Sequence, residues 1–178
     1  MKTKAFKNVR IMCFCAMLTA LSVAIAWLCK MFLTVTPYIR ITFENLPLIL
    51  AGYFFGPVAG LFSGLASDIL STALSQYGLG GINPIITLGA GCVGLFSGLL
   101  PKISGKKNNI ILLISVYAAH IIGNILVKSA GLNIIYSWAI PLLLPRIPLY
   151  LIIAAIEYGI MFILTKNKGI KKILGEEL

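Results

Sequence analysis

Gly52-Tyr-Phe-Phe-Gly56-Pro57-Val-Ala-Gly60 lies inside an uncharged run that extends from Asn45 to Ser67, and its reading decides the fold. Proline lacks a backbone donor and glycine admits unusual dihedrals, so the Gly56-Pro57 pair divides the run into two helices joined by a turn. Without a break there, the same run is one kinked helix. The distribution of charge along the rest of the chain chooses between the two.

Working outward, further uncharged runs extend from Ile11 to Cys29, Ile69 to Pro101, Asn108 to Val127 and Ser129 to Pro145, and Ile147 to Thr165 is interrupted only by Glu157. A bilayer crossing needs about 20 apolar residues in helical form. The Leu, Ile and Ala content lacks two-residue alternation, which favours helices over a barrel. Between the runs stand three basic clusters: Lys2, Lys4, Lys7 and Arg10; Lys102, Lys106 and Lys107; and Lys166, Lys168, Lys171 and Lys172. Together they hold eleven of the fifteen basic residues. Because Lys and Arg collect in short cytoplasmic loops, an even number of spans separates neighbouring clusters. Two spans lie between the second and third clusters. Four are needed between the first and second, and that number requires the turn at Gly56-Pro57. The expectation is an all-α integral membrane protein with both termini cytoplasmic and six transmembrane helices, near residues 8–33, 41–55, 57–76, 84–101, 109–131 and 145–166. Its three outer connections run from Leu33 to Arg40, Tyr77 to Asn83 and Leu132 to Leu144.

Composition agrees. The 178 residues are 59% apolar and 11% charged, with a mean hydropathy of +0.98, against about 25% charged in a water-soluble domain. Residues 1–178 form one six-helix membrane domain, with no room for a soluble module. The net charge of +10 is spent on topology rather than on nucleic acid. Cys13, Cys15, Cys29 and Cys92 have neither metal nor redox spacing and read as small apolar residues. The first run has no convincing cleavage site and reads as a retained helix.

Small residues recur at four-residue spacing in two places. Ala16, Ala20 and Ala24 align on one face of the first helix, which suits either a partner helix or this protein's own bundle. Gly52, Gly56, Gly60 and Gly64, with Gly89, Gly91, Gly94 and Gly98, read as close internal packing.

Ionisable residues inside spans are costly and face a cavity or a partner. Arg40, Lys128 and Arg146 fall near the outer ends of helices 2, 5 and 6 and converge on a site suited to an anion; snorkelling to headgroups competes for Lys128 and Arg146. Glu44, four residues from Arg40, competes as its counter-ion. Asp68 and Glu157 lie mid-span and read as bridges between helices. Phe43, Tyr77, Tyr136, Trp138 and Tyr150 supply aromatic faces, either as interface anchors or for stacking on a flat ligand, and Asn83, Thr87 and Asn124 supply edge-reading polar groups. Nothing points to catalysis, a metal or a cofactor: HExxH, GxSxG, CxxC and Walker A patterns are absent, and a lone membrane histidine such as His120 reads as a helix-to-helix hydrogen-bond partner.

Several segments resemble one family. They are the Ala16/Ala20/Ala24 stripe, Arg40-Ile-Thr-Phe-Glu-Asn-Leu-Pro47, Gly52 to Gly60 followed by Asp68, Asn83-Pro84-Ile-Ile-Thr87-Leu88, and Leu144-Pro-Arg146-Ile-Pro148 with Glu157 and Tyr158 behind. In this order they are similar to the substrate-binding S components of energy-coupling factor (ECF) vitamin transporters, in particular the folate-specific branch. The resemblance covers nearly the whole chain. It implies capture of folate or a related pterin from outside, with a membrane coupling subunit and two cytoplasmic ATPases driving uptake and the alanine stripe docking the coupling subunit. Arg40, Lys128 and Arg146 would then meet carboxylates, Phe43, Tyr77, Trp138 and Tyr150 the ring, and Asn83, Thr87 and Asn124 its edge. An S component for another small polar metabolite, such as pantothenate or a queuosine precursor, is the alternative. A membrane-embedded enzyme built on His120, Asp68 or Glu157 is the more distant one.

Overall fold

The computed structural model describes residues 9–33, 41–75, 81–105, 107–136, 141 and 144–167. Among these there are six helices: α1 (Val9–Phe32), α2 (Asn45–Phe55), α3 (Pro57–Ala73), α4 (Pro84–Ser104), α5 and α6 (Arg146–Lys166). α5 is continuous but changes register, with α-helical turns over Asn109–Ala119 and Ser129–Tyr136 enclosing a π-helical stretch, His120–Lys128. Four helical segments are long and apolar enough to cross a membrane: Val9–Phe32, Pro84–Ser104, Asn109–Ile134 and Arg146–Lys166.

Two helices are shorter than expected. α2 begins at Asn45 rather than near 41, because Pro47 lies in its first turn. There the missing N–H costs nothing, whereas its ring would clash with the carbonyl of residue 43 if the helix continued backward. The resulting 11 residues span roughly 17 Å, well short of a ~30 Å hydrocarbon core. α3 ends at Ala73 rather than 76. α5, by contrast, runs to Tyr136 rather than 131.

The turn between α2 and α3 is as the sequence predicts. Gly56 closes α2, its N–H donating to Gly52 O at 2.9 Å, and adopts φ +100°, a conformation that side chains resist. Pro57 then opens α3 at a position where its absent donor is not missed. Both helices pack against α4 and against each other. A Cβ at Gly52 or Gly60 would collide with the Gly94 carbonyl, one at Gly64 with that of Ala90, and one at Gly98 would stand 2.7 Å from the Pro57 nitrogen. Backbone therefore packs directly on backbone, as the glycine spacing implied.

α1 leans on this unit by a narrow stripe. Thr19, Ser22, Ala26 and Cys29 are buried, and Ser22 Oγ donates to the Glu44 carbonyl at 2.6 Å while accepting from Ser67 Oγ at 2.8 Å. Ala16, Ala20 and Ala24 are exposed, so the alanine stripe is not the surface by which α1 joins its own bundle. The apolar core comprises Leu48, Ile49 and Tyr53 of α2, Val93 of α4, Leu112, Val116 and Ala119 of α5, and Ala154 and Met161 of α6.

Candidate ligand site at the polar end of the bundle

Above that core, toward the end where α1 meets α2, α3 meets α4 and α5 meets α6, the interior turns polar. His120, Asn124 and Lys128 recur every four residues along the π-helical stretch of α5, and all three are buried. A π turn closes i→i+5 bonds in place of i→i+4 and is a rare conformation concentrated at functional sites. The wider turn is also seated on a close helix contact. A Cβ on Gly123 would stand 2.8 Å from the Gly89 oxygen, and one on Gly89 would stand 2.6 Å from Lys128 Cγ. The absence of a side chain at 89 therefore gives the Lys128 stem room to lie along α4.

At the base of the polar layer, His120 Nε2 is 2.8 Å from Glu157 Oε2 and His120 Nδ1 is 3.0 Å from Asn124 Nδ2. A ring protonated on Nε2 satisfies both contacts at once, donating to the carboxylate and accepting from the amide. His120 and Glu157 are completely buried, and the Tyr150 ring lies 6.1 Å from the imidazole. Glu157 bridges α6 to α5, and Asp68 bridges α3 to α4 by accepting from Thr87 Oγ1 at 2.7 Å, so both acidic residues play the bridging part expected of them.

Two cations stand higher. Lys128 Nζ donates to Glu44 Oε1 at 3.5 Å, with side chains 8% and 15% exposed. Glu44 is held there through its own backbone carbonyl by Ser22. A pair this dry is expensive to desolvate and its net contribution to stability is small. Arg146, at the first turn of α6, lies 5.3 Å over the Tyr150 ring, with Nη2 3.4 Å from the Tyr150 hydroxyl. Its Nε is buried and has no hydrogen-bond partner among the described residues. A guanidinium stacked on an aromatic face with a donor left over is prepared for an oxyanion.

The remaining expected residues are placed as follows. Asn83 caps α4, its side-chain oxygen accepting from Ile85 N at 3.0 Å and Ile86 N at 3.2 Å, and its buried Nδ2 has no partner among the described residues. The Thr87 hydroxyl is shared between Asp68 and the Asn83 carbonyl. Phe43 is half-buried beside Glu44. Arg40, Tyr77 and Trp138, and the side chain of Tyr136, lie outside the described residues.

Sequence reasoning missed two residues. Among the described residues, Asn45 is fully buried with both amide atoms unpartnered, and Thr42 is 1% exposed with its hydroxyl unpartnered. The available signal was a polar residue three and four positions before Leu48 and Ile49, on a helix face that is otherwise apolar.

A family model described as the ECF-type riboflavin transporter, S component, matches residues 6–168. Among solved structures, one titled "Crystal structure of FolT bound with folic acid" shares the fold, with a TM-score of 0.73 at 20% identity over 90% of this chain and 96% of that one. No curated protein matches the sequence.

Proposed function

The chain belongs to the ECF-type riboflavin transporter S component family, a family of multi-pass membrane transport subunits rather than enzymes, and we propose that it is the vitamin-binding subunit for folate or a related pterin. The observation that carries this reading is the polar layer itself. A stacked Arg146 with an unpartnered Nε and a buried Lys128 stand over an amide-bearing interior of Asn124 and Asn45. Two cations suit the carboxylates of a folate tail, while Tyr150 and buried amides suit a flat heterocycle. The likeness to a folic acid-bound fold supports it. Lys128 need not wait unpaired for ligand, because an incoming carboxylate can take the place of Glu44.

In this reading the six helices form a bundle with both termini cytoplasmic, and the polar layer opens to the outside of a bacterial cytoplasmic membrane. A membrane coupling subunit docks on the exposed Ala16, Ala20 and Ala24, and two ATPase subunits power uptake.

Riboflavin is the second reading. It is favoured by the description of the matching family and by Glu44, which already neutralises Lys128 and leaves a site less cationic than the sequence implied. Titrating the purified protein with folic acid and with riboflavin decides between them. Saturable folic acid binding that riboflavin does not displace supports the first. Tight riboflavin binding with none for folic acid establishes the second, and binding of neither refutes both.

A further inference from the structure

Asn45 shares one face of α2 with Leu48, Ile49 and Gly52, at spacings of three, four and seven residues. Leu48 and Ile49 belong to the core with Val93, Val116, Ala119 and Ala154, so Asn45 projects into the same interior one turn nearer the polar end. Its neighbour in sequence, Glu44, reaches Lys128, so the start of α2 stands beside the polar end of α5. There Asn45 is 0% exposed, and among the described residues neither Nδ2 nor Oδ1 has a hydrogen-bond partner. Thr42, three residues earlier, repeats the pattern with one hydroxyl. Buried polar groups are paired almost without exception, because an unpaired one forfeits its hydration for nothing. A side chain with two such atoms in one plane is therefore waiting for a partner that supplies both an acceptor and a donor.

We propose that Asn45 is a ligand-reading residue, its amide pairing side by side with a –CO–NH– (lactam) edge of a flat heterocycle. An amide offers a donor and an acceptor in one plane, and a lactam offers the complementary acceptor and donor. Both folic acid and riboflavin carry such an edge in their pyrimidine ring, so the assignment rests on the proposed vitamin-binding function but not on which of the two vitamins is bound.

The test compares wild type with Asn45→Leu, which keeps the shape of the side chain and removes its polar atoms. Two quantities are read for each: thermal unfolding without ligand, and affinity for whichever of folic acid and riboflavin the wild type binds. The expected result is a split. The ligand-free variant melts at or above the wild-type temperature, since two unpaired buried atoms are gone, while affinity weakens by about 10- to 100-fold. A ligand methylated on its lactam nitrogen binds the wild type less tightly than the parent compound, and the variant loses that discrimination. Should the leucine variant fail to accumulate, Asn45→Ala, which cannot clash, decides by affinity and by discrimination against the methylated ligand, because the cavity it leaves lowers the melting temperature by itself. Affinity within threefold of wild type overturns the assignment, and so does a ligand-free leucine variant that melts clearly lower, because Asn45 is then structural. A wild type that binds neither vitamin refutes the proposed function instead, and the two failures are distinguished.

Discussion

Replacing Glu157 by alanine removes the only acidic group that His120 meets among the described residues, in a place where both side chains are wholly buried and 2.8 Å apart. The imidazole N–H is then left without an acceptor, and the chain from Glu157 through His120 to Asn124 is cut at its anchor. Breaking a buried pair from one side costs about 3–5 kcal/mol, since the surviving partner keeps its desolvation penalty and loses its compensation. For a chain of this length that is a fall in Tm of roughly 6–20 °C. Glu157→Gln retains an acceptor for the imidazole and loses only the charge, and about 1 kcal/mol is expected. Replacing both members by leucine recovers most of the loss, because the pair itself adds little beyond what apolar packing supplies. Thermal unfolding of the four purified proteins in one detergent measures all of this. If Glu157→Ala melts within about 2 °C of wild type, or the double variant melts lowest of all, the pair does not organise the α5–α6 contact and the reasoning is wrong.

Gly94→Leu should destabilise the bundle by about 3 kcal/mol or more, the upper end of overpacking, since the new side chain meets the Gly60 backbone and no rotamer relieves it. Gly159→Leu, where nothing lies within 4 Å, should change stability by no more than about 0.5 kcal/mol; detergent melting curves compare the two. Arg146→Ala should weaken folic acid binding by about tenfold or more through loss of a charge-assisted contact, while riboflavin, with no carboxylate, is little affected. Ala20→Trp should leave ligand binding by the isolated chain intact and abolish its co-purification with the coupling subunit. Retained co-purification would move the docking surface elsewhere.

Much of the fold was legible because it rests on local chemistry. Gly56-Pro57, read together with the three basic clusters, ends one helix and begins another, and the glycines that face α4 announce themselves by spacing. The start of α2 lies four residues beyond the expected one, at the position that Pro47 in its first turn marks. The π register of His120–Lys128 had no sequence signature; it depends on how α5 fits against Gly89 and Val93 of α4. The candidate site was legible in part. Asn124 and Lys128 are buried on α5, Tyr150 lies beside His120, and Arg146 stacks over Tyr150; these are residues that charge and polarity in a membrane single out. The partner that Glu44 finds in Lys128 lies 84 residues away, a pairing that only the packing of α2 beside α5 creates. His120 and Glu157 are 37 residues apart, and only the packing of α5 on α6 makes them a pair. Asn45 was overlooked because a buried polar residue declares itself through what fails to meet it, which no sequence displays.

The most direct test of the account is a structure of the protein with its vitamin bound. The ligand is predicted to lie between α2, α5 and α6, its ring beside Tyr150 and Asn124 and a carboxylate within hydrogen-bond distance of Arg146 or Lys128. A ligand seated at the Gly56–Gly105 end, or one that leaves Asn124, Lys128 and Arg146 untouched, contradicts it.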